Sequence, residues 1–238
     1  MIDGESVLAF VPARGGSKRL PQKNLRRLGG EPLVGWTIAA AQNSDLIDRI
    51  VISTDDDEIM LLGEKLGCDV PFRRPAVLAT DTARTIHVLQ HLLRSIDREY
   101  TYVVQLQPTS PFRNSADIDA TIEACVTSKA PACVSVCPVK KSPHWIFSVS
   151  EDKRMSPVLP LPEGTSRSQD LATYYELNGA IYVARSDWIV QRDSFLSDQT
   201  IAYVMPRERS LDIDTEGDLA LAEAMIANSP NLANHLKH

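Results

Sequence analysis

Cysteine is scarce in this sequence: four thiols in 238 residues, with no CxxC pair among them, exclude a disulfide framework and a zinc ribbon. No apolar run approaches the roughly 18 residues that a membrane span requires, so no membrane partner is expected. Positive charge is in deficit, with 25 Lys and Arg against 31 Asp and Glu for a net charge of −6. That balance argues against a nucleic-acid binder, whose affinity comes from excess Lys and Arg. The patterns GxxxxGK[ST] and GxGxxG are both absent, which excludes a P-loop and a dinucleotide fingerprint. The opening MIDGESVLAFVPARGG has no basic n-region and its apolar run breaks at Pro12, so no signal peptide and a cytoplasmic location are expected.

The few soft ligands present suit packing better than metal. Cys133 and Cys137 lie in the strand-like ACVSVC. Although a zinc site with His144 is conceivable, thiols in such a stretch behave as small buried hydrophobes. His87 and His91 sit four apart without an HExxH glutamate, which reads as an exposed helix face. His235 and His238 fall in a tail expected to fray. No Ser-His-Asp or Cys-His arrangement is present, and no general base is identifiable.

What the chain does contain is an alternation of strand and helix patterns. Apolar runs at residues 7–11, 50–52, 102–106 and 132–136 read as buried strands. Between them, helical spacing appears at residues 32–41 (Leu33, Trp36, Ala40), at Ile59, Leu62 and Leu66, at Ile86, Leu89, Leu93 and Ile96, and at Ile118, Ile122 and Cys125, with Ser115 as the expected cap of the last. A final helix over 219–227 is expected to bury Leu219, Ala222 and Ile226. Such alternation predicts a doubly wound α/β fold around a mostly parallel sheet, with ligands at the carboxyl ends of the strands. Residues 138–174 are richer in Pro, Ser and charge and read as an inserted arm, after which the core pattern resumes at Gly179. The count is one domain over residues 1–238 with an excursion at about 138–174.

Within this acidic chain, residues 14–27 carry six basic side chains and no acidic one. They follow the first strand directly, as Ala13-Arg14-Gly15-Gly16-Ser17-Lys18 and onward to Asn24. A glycine pair at the end of a parallel strand lets backbone N–H groups approach an anion, and Arg14 and Lys18 add charge suited to a triphosphate. Far along the chain, Asp212 and Asp214 alternate in an expected strand, which would put both carboxylates on one face. Two hard oxygen ligands suit Mg²⁺ held together with phosphates and waters. Acidic residues ahead of a helix also cap it, and the residues alone leave both readings open.

RGGSKRLPQKN resembles the signature of the cytidylyltransferases that activate nine-carbon α-keto acid sugars. ISTDD (52–56), RPAVLATD (74–81), LQPTSPFR (106–113), NGAIY (178–182) and LDIDT (211–215) agree with that family in the same order. The resemblance implies a nucleotide-diphospho-sugar transferase-like, Rossmann-like α/β fold. It also implies a reaction in which CTP and an acylated nonulosonic acid give a CMP-sugar and pyrophosphate, with Mg²⁺ (or Mn²⁺ in its place) as cofactor. In the family's pattern Arg14, Ser17 and Lys18 fall on triphosphate positions, with Ala13, Gly15, Gly16 and Asn24 alongside. Arg74, Asp81 and Thr82 fall on the cytidine side. Gln107, Thr109, Ser110, Arg167, Gln169, Tyr175, Asn178 and Gly179 fall on the sugar side, whereas Tyr182 reads as core. The catalytic set implied is Arg14, Lys18, Asp212 and Asp214, with the metal on the two aspartates. A homodimer is implied, its arm packing on the partner copy. One departure stands out: relatives often read RRQDLP where this chain has Arg167-Ser168-Gln169-Asp170-Leu171-Ala172. Ser168 thus replaces an arginine that helps the sugar's carboxylate or acyl side, and Arg167 is the available substitute. Residues 141–145 (KSPHW) look more like the legionaminic acid branch than the sialic acid branch. Two other readings remain: a silent nucleotide-binding regulator and a sugar-1-phosphate nucleotidyltransferase.

Overall fold

A computed structural model describes residues 2, 4–164 and 171–236. Its central sheet has six strands in the order β10-β6-β9-β5-β1-β4: Ile201–Val204, Ala132–Pro138, Tyr175–Arg185, Tyr102–Leu106, Val7–Pro12 and Arg49–Ser53. β1 runs parallel to β4 and β5, and β10 parallel to β6, whereas β9 is antiparallel to both of its neighbours. Two short ribbons lie outside the sheet: β2 (Arg27–Leu28) with β3 (Glu31–Pro32), and β7 (Phe147–Val149) with β8 (Met155–Pro157). The helices are α1 (Leu33–Gln42), α2 (Asp57–Lys65), α3 (Thr85–Ser95), α4 (Ser115–Ser128), α5 (Ser186–Gln191) and α6 (Glu216–Asn228).

The period of two in β1 sorts its side chains between two layers. Val7, Ala9 and Val11 meet Val34 and Ile38 of α1, Ile59 of α2 and Ile118 and Ile122 of α4. Leu8 and Phe10 meet Ile86, Leu89 and Leu92 of α3 and Ile189 of α5. Helices cover both faces of the sheet, which is why its strands read as unbroken apolar runs rather than alternating ones. A third cluster joins α6 to the start of α1, where Trp36 packs edge-on against Phe112 at 5.9 Å and donates to the Leu28 carbonyl at 2.9 Å. Each such large side chain contributes about 1.5–3 kcal/mol on burial.

Several sequence expectations need correction. The cap of α4 is Asn114, not Ser115: its side chain accepts from Asp117 N–H while Asp117 reaches back to the Asn114 N–H. This reciprocal box outcompetes a lone serine. Ile226 is only partly buried, while Leu219 and Ala222 are buried as expected. Residues 211–214 form no strand, because the segment is held through single bonds to neighbouring loops rather than by a ladder.

Candidate active site

The loop after β1 is built by fixed bonds to the end of β4. Ala13 N–H donates to the Ser53 carbonyl at 2.9 Å, and Gly15 N–H donates to Asp55 Oδ1 at 3.1 Å. A Cβ on Gly15 would lie 2.6 Å from Asp56 Oδ2, whereas one on Gly16 would meet nothing within 4 Å. Gly15 therefore satisfies a close approach to α2's cap, and Gly16 leaves the loop's outer face open to a ligand. Ser17 N–H returns to the Gly15 carbonyl at 3.0 Å, and buried Asn24 donates Nδ2–H to the Arg14 carbonyl at 2.9 Å, closing the loop on itself.

Carboxylates meet the cations of this loop at both ends. Arg14 Nη1 lies 2.8 Å from Asp81 Oδ1, and Lys18 bonds the other oxygen of the same carboxylate. Lys18 first and Arg14 second hold the Asp81 carboxyl below its ordinary range. At the opposite end Arg19 and Lys23 each reach Asp214 at 2.9 Å. Thr82 is exposed, its hydroxyl 3.3 Å from that of Thr80.

Arg74 is buried against β4 rather than extended into solvent. Its backbone N–H donates to the Thr54 carbonyl at 2.7 Å and its Nε–H to Ser53 Oγ at 3.1 Å, with Nη2 on the Ser53 carbonyl. Burial pulls its pKa down to about 10, with Asp55 opposing and Arg14 adding to the fall, so it stays cationic at neutral pH.

The second half of the site lies at the end of β5. Arg113 is fully buried, and its Nη1 donates to the carbonyls of Gln107 and Ser110 at 2.8 and 3.0 Å, fixing the turn between them. Burial lowers its pKa to about 9, with Asp117 opposing. Ser110 closes this turn through its N–H on the Gln107 carbonyl at 3.3 Å, with its hydroxyl buried. The Thr109 carbonyl accepts the Ile213 N–H at 2.8 Å, and its hydroxyl bonds Asp212.

β9 supplies the facing wall. Two steps along β6, from Val134 to Val136, correspond to five along β9, from Tyr182 to Leu177. The surplus forms a bulge, with Gly179 at φ 74°, and bulges re-aim side chains next to active sites. Buried Asn178 seals it: Oδ1 accepts from Ser135 Oγ at 2.6 Å, and Nδ2 donates to Ser210 Oγ at 2.9 Å. Because β9 is antiparallel, its first half lies at the carboxyl ends of β5 and β6. Loops from β1, β4, β5 and β9 thus converge at one edge of the sheet, the edge where open α/β sheets bind ligands.

A cavity of about 290 Å³ opens there, lined by Gln107, Asn178, Gly179, Tyr182, Ser210 and Asp212, with Cys137, Glu176 and Leu177 beside them. Burial is the main force raising the Asp212 pKa, and the charge of Asp214 adds to it, while Thr109 and Lys23 oppose. Asp212 thus faces the cavity and Asp214 the basic loop, and the short segment between them joins the two. A roomier cavity of about 640 Å³, lined by Phe112, Arg209, Leu221 and Met225, contains none of the predicted site residues. Size does not locate the chemistry here.

Of the sequence-derived candidates, Arg14, Gly15, Gly16, Ser17, Lys18, Asn24, Asp81 and Asp214 gather at the loop, and Gln107, Asn178, Gly179 and Asp212 at the cavity. Thr109 touches Asp212, and Tyr175 begins β9 with an exposed ring. Arg167 and Gln169, like Ser168, lie outside the described residues. Tyr182, expected in the core, is only partly buried, lines the cavity and packs against Phe195 at 5.4 Å. Glu176, Cys137 and Ser210 were missed. Period two from Asn178 points back to Glu176, whereas Ser210 had no signal. Among the described residues no group of three or more His, Cys, Asp or Glu is placed to hold a metal, and all four cysteines are buried thiols.

A family model described as Cytidylyltransferase matches residues 8–225. The chain is 40% identical over 232 residues to the CMP-N,N'-diacetyllegionaminic acid synthase of Legionella pneumophila, covering 92% of this chain and 96% of that protein. It is 31% identical to a pseudaminic acid cytidylyltransferase of Campylobacter jejuni, covering 92% and 95% of the two chains. It is also 33% identical to the N-acylneuraminate cytidylyltransferase of Escherichia coli, covering 91% of this chain but 51% of that longer protein. In fold it is similar to the solved structure of CMP:2-keto-3-deoxy-manno-octonic acid synthetase complexed with CTP, with a TM-score of 0.71 at 18% identity over 94% of this chain and 99% of the other. Sequence and fold agree, and the chain belongs to the cytidylyltransferase family of nucleotidyltransferase enzymes.

Proposed function

We propose that this enzyme transfers CMP from CTP to the anomeric hydroxyl of a nine-carbon acylated α-keto acid sugar and releases pyrophosphate. The observation that carries the reading is the segment 212–214, which links the basic loop to the cavity: Asp214 pairs with Arg19 and Lys23, and Asp212 lines the cavity. A triphosphate on the loop and a sugar in the cavity would meet at that segment. The named specificities of the relatives support the sugar class, and the 40% identity to the legionaminic acid enzyme favours that branch.

In this reading Arg14, Ser17, Lys18 and the backbone of Gly15 and Gly16 receive the triphosphate, with Ala13 and Asn24 shaping the loop. Arg74, Asp81 and Thr82 flank the cytidine. Gln107, Tyr175, Asn178 and Gly179, together with Arg167 and Gln169, serve the sugar, and Thr109 and the buried Ser110 shape the turn behind it. The sugar hydroxyl attacks the α-phosphorus as pyrophosphate departs, so charge grows on the leaving oxygens. Preorganised cations such as Arg14 and Lys18 stabilise that charge more than the ground state.

Asp212 and Asp214 fit Mg²⁺. They supply hard oxygen donors, Asp212's charge is disfavoured by burial, and two protein carboxylates completed by phosphates and waters are the usual Mg²⁺ arrangement. A metal bound there would screen phosphate charge, and Mn²⁺ would substitute. Asp214 would exchange its Arg19 and Lys23 contacts to take part.

We place residues 1–238 in one domain whose arm, at about 138–174, pairs two copies as a homodimer. Supporting this, Trp145, Ile146 and Phe147 are 41%, 47% and 39% exposed, and Val149, Met155 and Val158 more so. So much apolar surface on one ribbon calls for a partner. A cytoplasmic site of action suits the four thiols, and no helix of the described residues is long and apolar enough to cross a membrane. Incubation with CTP, Mg²⁺ and a panel of nonulosonic acids should release pyrophosphate and form a CMP-sugar. Turnover of an aldose phosphate alone, or of nothing, overturns the assignment.

A further inference from the structure

The cavity beside Asp212 carries two carboxylates and no cation. Asp212 and Glu176 line it as carboxylates, Gln107 and Asn178 as amides, and no Lys or Arg side chain is among its lining residues. Arg207, which reaches Glu176, is already engaged: its Nη1 donates to the Pro138 carbonyl at 2.6 Å and to Glu176 Oε1 at 3.0 Å. Cys137 Sγ donates to that same Oε1 at 3.8 Å. Both contacts fall on Oε1, and among the described residues no hydrogen bond reaches Oε2.

Arg207 and Cys137 hold the Glu176 carboxylate from one side and leave its second oxygen for a ligand. The register shift between β6 and β9 begins directly after Glu176 and Leu177, which pair with Cys137 and Val136. Glu176 therefore sits on regular strand at the edge of the bulge, a rigid mount for a recognition group.

Resting on the function proposed above, we infer that Glu176 is a specificity-determining residue that accepts a hydrogen bond from an N–H or O–H substituent of the sugar. An anionic acceptor attracts donors and repels a carboxylate. The sugar's donor-bearing side, its acylamino or hydroxyl groups, then faces Glu176, and its own carboxylate points away from it.

The test measures kcat/KM of wild type, E176Q and E176A for two nonulosonic acids, one carrying acylamino or hydroxyl groups and one deoxy at those positions. The KM for CTP and the thermal unfolding temperature are followed in parallel. E176Q keeps the size of the side chain and removes its charge. The expected result is a loss of about tenfold or more in kcat/KM for the preferred sugar, the scale of one charge-assisted hydrogen bond. Discrimination between the two sugars should narrow, with KM for CTP within about twofold and unfolding unchanged. Wild-type turnover with both variants inside twofold on both sugars, or equal losses for sugar and CTP, overturns the role of Glu176 and leaves the function standing. No turnover of any nonulosonic acid by wild type overturns the function and this inference together.

Discussion

Arg14 Nη1 donates to Asp81 Oδ1 across 2.8 Å, so a carboxylate of the chain itself sits against the cations assigned to the nucleotide. Lys18 holds the other oxygen. A triphosphate that binds Arg14 and Lys18 must compete with Asp81. Replacing Asp81 with Asn should lower the KM for CTP by a few fold, the scale of exposed ion pairs, and weaken its salt dependence. A raised KM in steady-state kinetics would instead show that Asp81's place beside the cytidine outweighs this competition.

Removing the cations tests the other side of the same contact. Arg14→Ala and Lys18→Ala should each lower kcat by about 100-fold or more, the loss seen when one preorganised donor to developing charge is deleted. KM for the sugar should move little. A kcat within twofold of wild type would take either residue out of the chemistry.

The segment carrying Asp212 is anchored from α4. Arg209 donates Nε–H and Nη2–H to the two oxygens of Asp117 at 2.9 and 2.7 Å, and Asp117 is 1% exposed. Removing the arginine leaves a buried carboxylate without its main partner, so Arg209→Ala should cost about 2–4 kcal/mol in urea unfolding, somewhat below a fully buried pair because Arg209 is partly exposed. Arg209→Lys should recover only part of this, since a point charge cannot form both bonds. A change under 0.5 kcal/mol would show that the clamp is dispensable.

The family-like segments were legible in the sequence, but their physical roles were not. In ISTDD, Ser53 holds Arg74, the Asp55 carboxylate accepts the Gly15 N–H, and Asp56 caps α2. Most of that motif supports the loop rather than touching a ligand. In LDIDT, Thr215 caps α6 in a reciprocal box with Asp218, while Asp212 and Asp214 turn to different neighbours. Period two suggested a strand and a shared face there, because local pattern carries no information about the single bond from Ile213 to Thr109 that shapes the segment. Strand β1 and its alternating layers were readable because every residue obeys one period. The bulge in β9 was not, since it depends on Ser135, distant in sequence, sealing Asn178.

The arm gives a prediction about assembly. Its ribbon exposes Ile146, Phe147 and Val149, yet none of the three joins a core cluster of the chain. Replacing Ile146 and Phe147 with Asp should convert a dimer to a monomer in light scattering while leaving the unfolding temperature of the dilute protein nearly unchanged. A wild-type protein that is monomeric at micromolar concentration would remove the arm's assigned role.

The buried thiols make a prediction with a defined pH direction. Burial pushes Cys68, Cys125 and Cys133 up to about 12 from an ordinary value of 9.0. Only the thiolate reacts with disulfide reagents, so at pH 8 the native protein should label at these three positions orders of magnitude more slowly than after urea unfolding. The same shift sets a stability slope. The folded chain holds these protons more tightly than the unfolded chain, so the contribution is intact below about pH 9 and is lost as pH rises toward 12. The urea midpoint should therefore fall between pH 9 and 10.5, and Cys125→Ala should flatten part of that fall once its own cavity cost at pH 7 is subtracted. Rapid native labelling of Cys125 or Cys133, read by mass spectrometry of the modified peptides, would show that the sheet opens around β6 far more often than its packing implies.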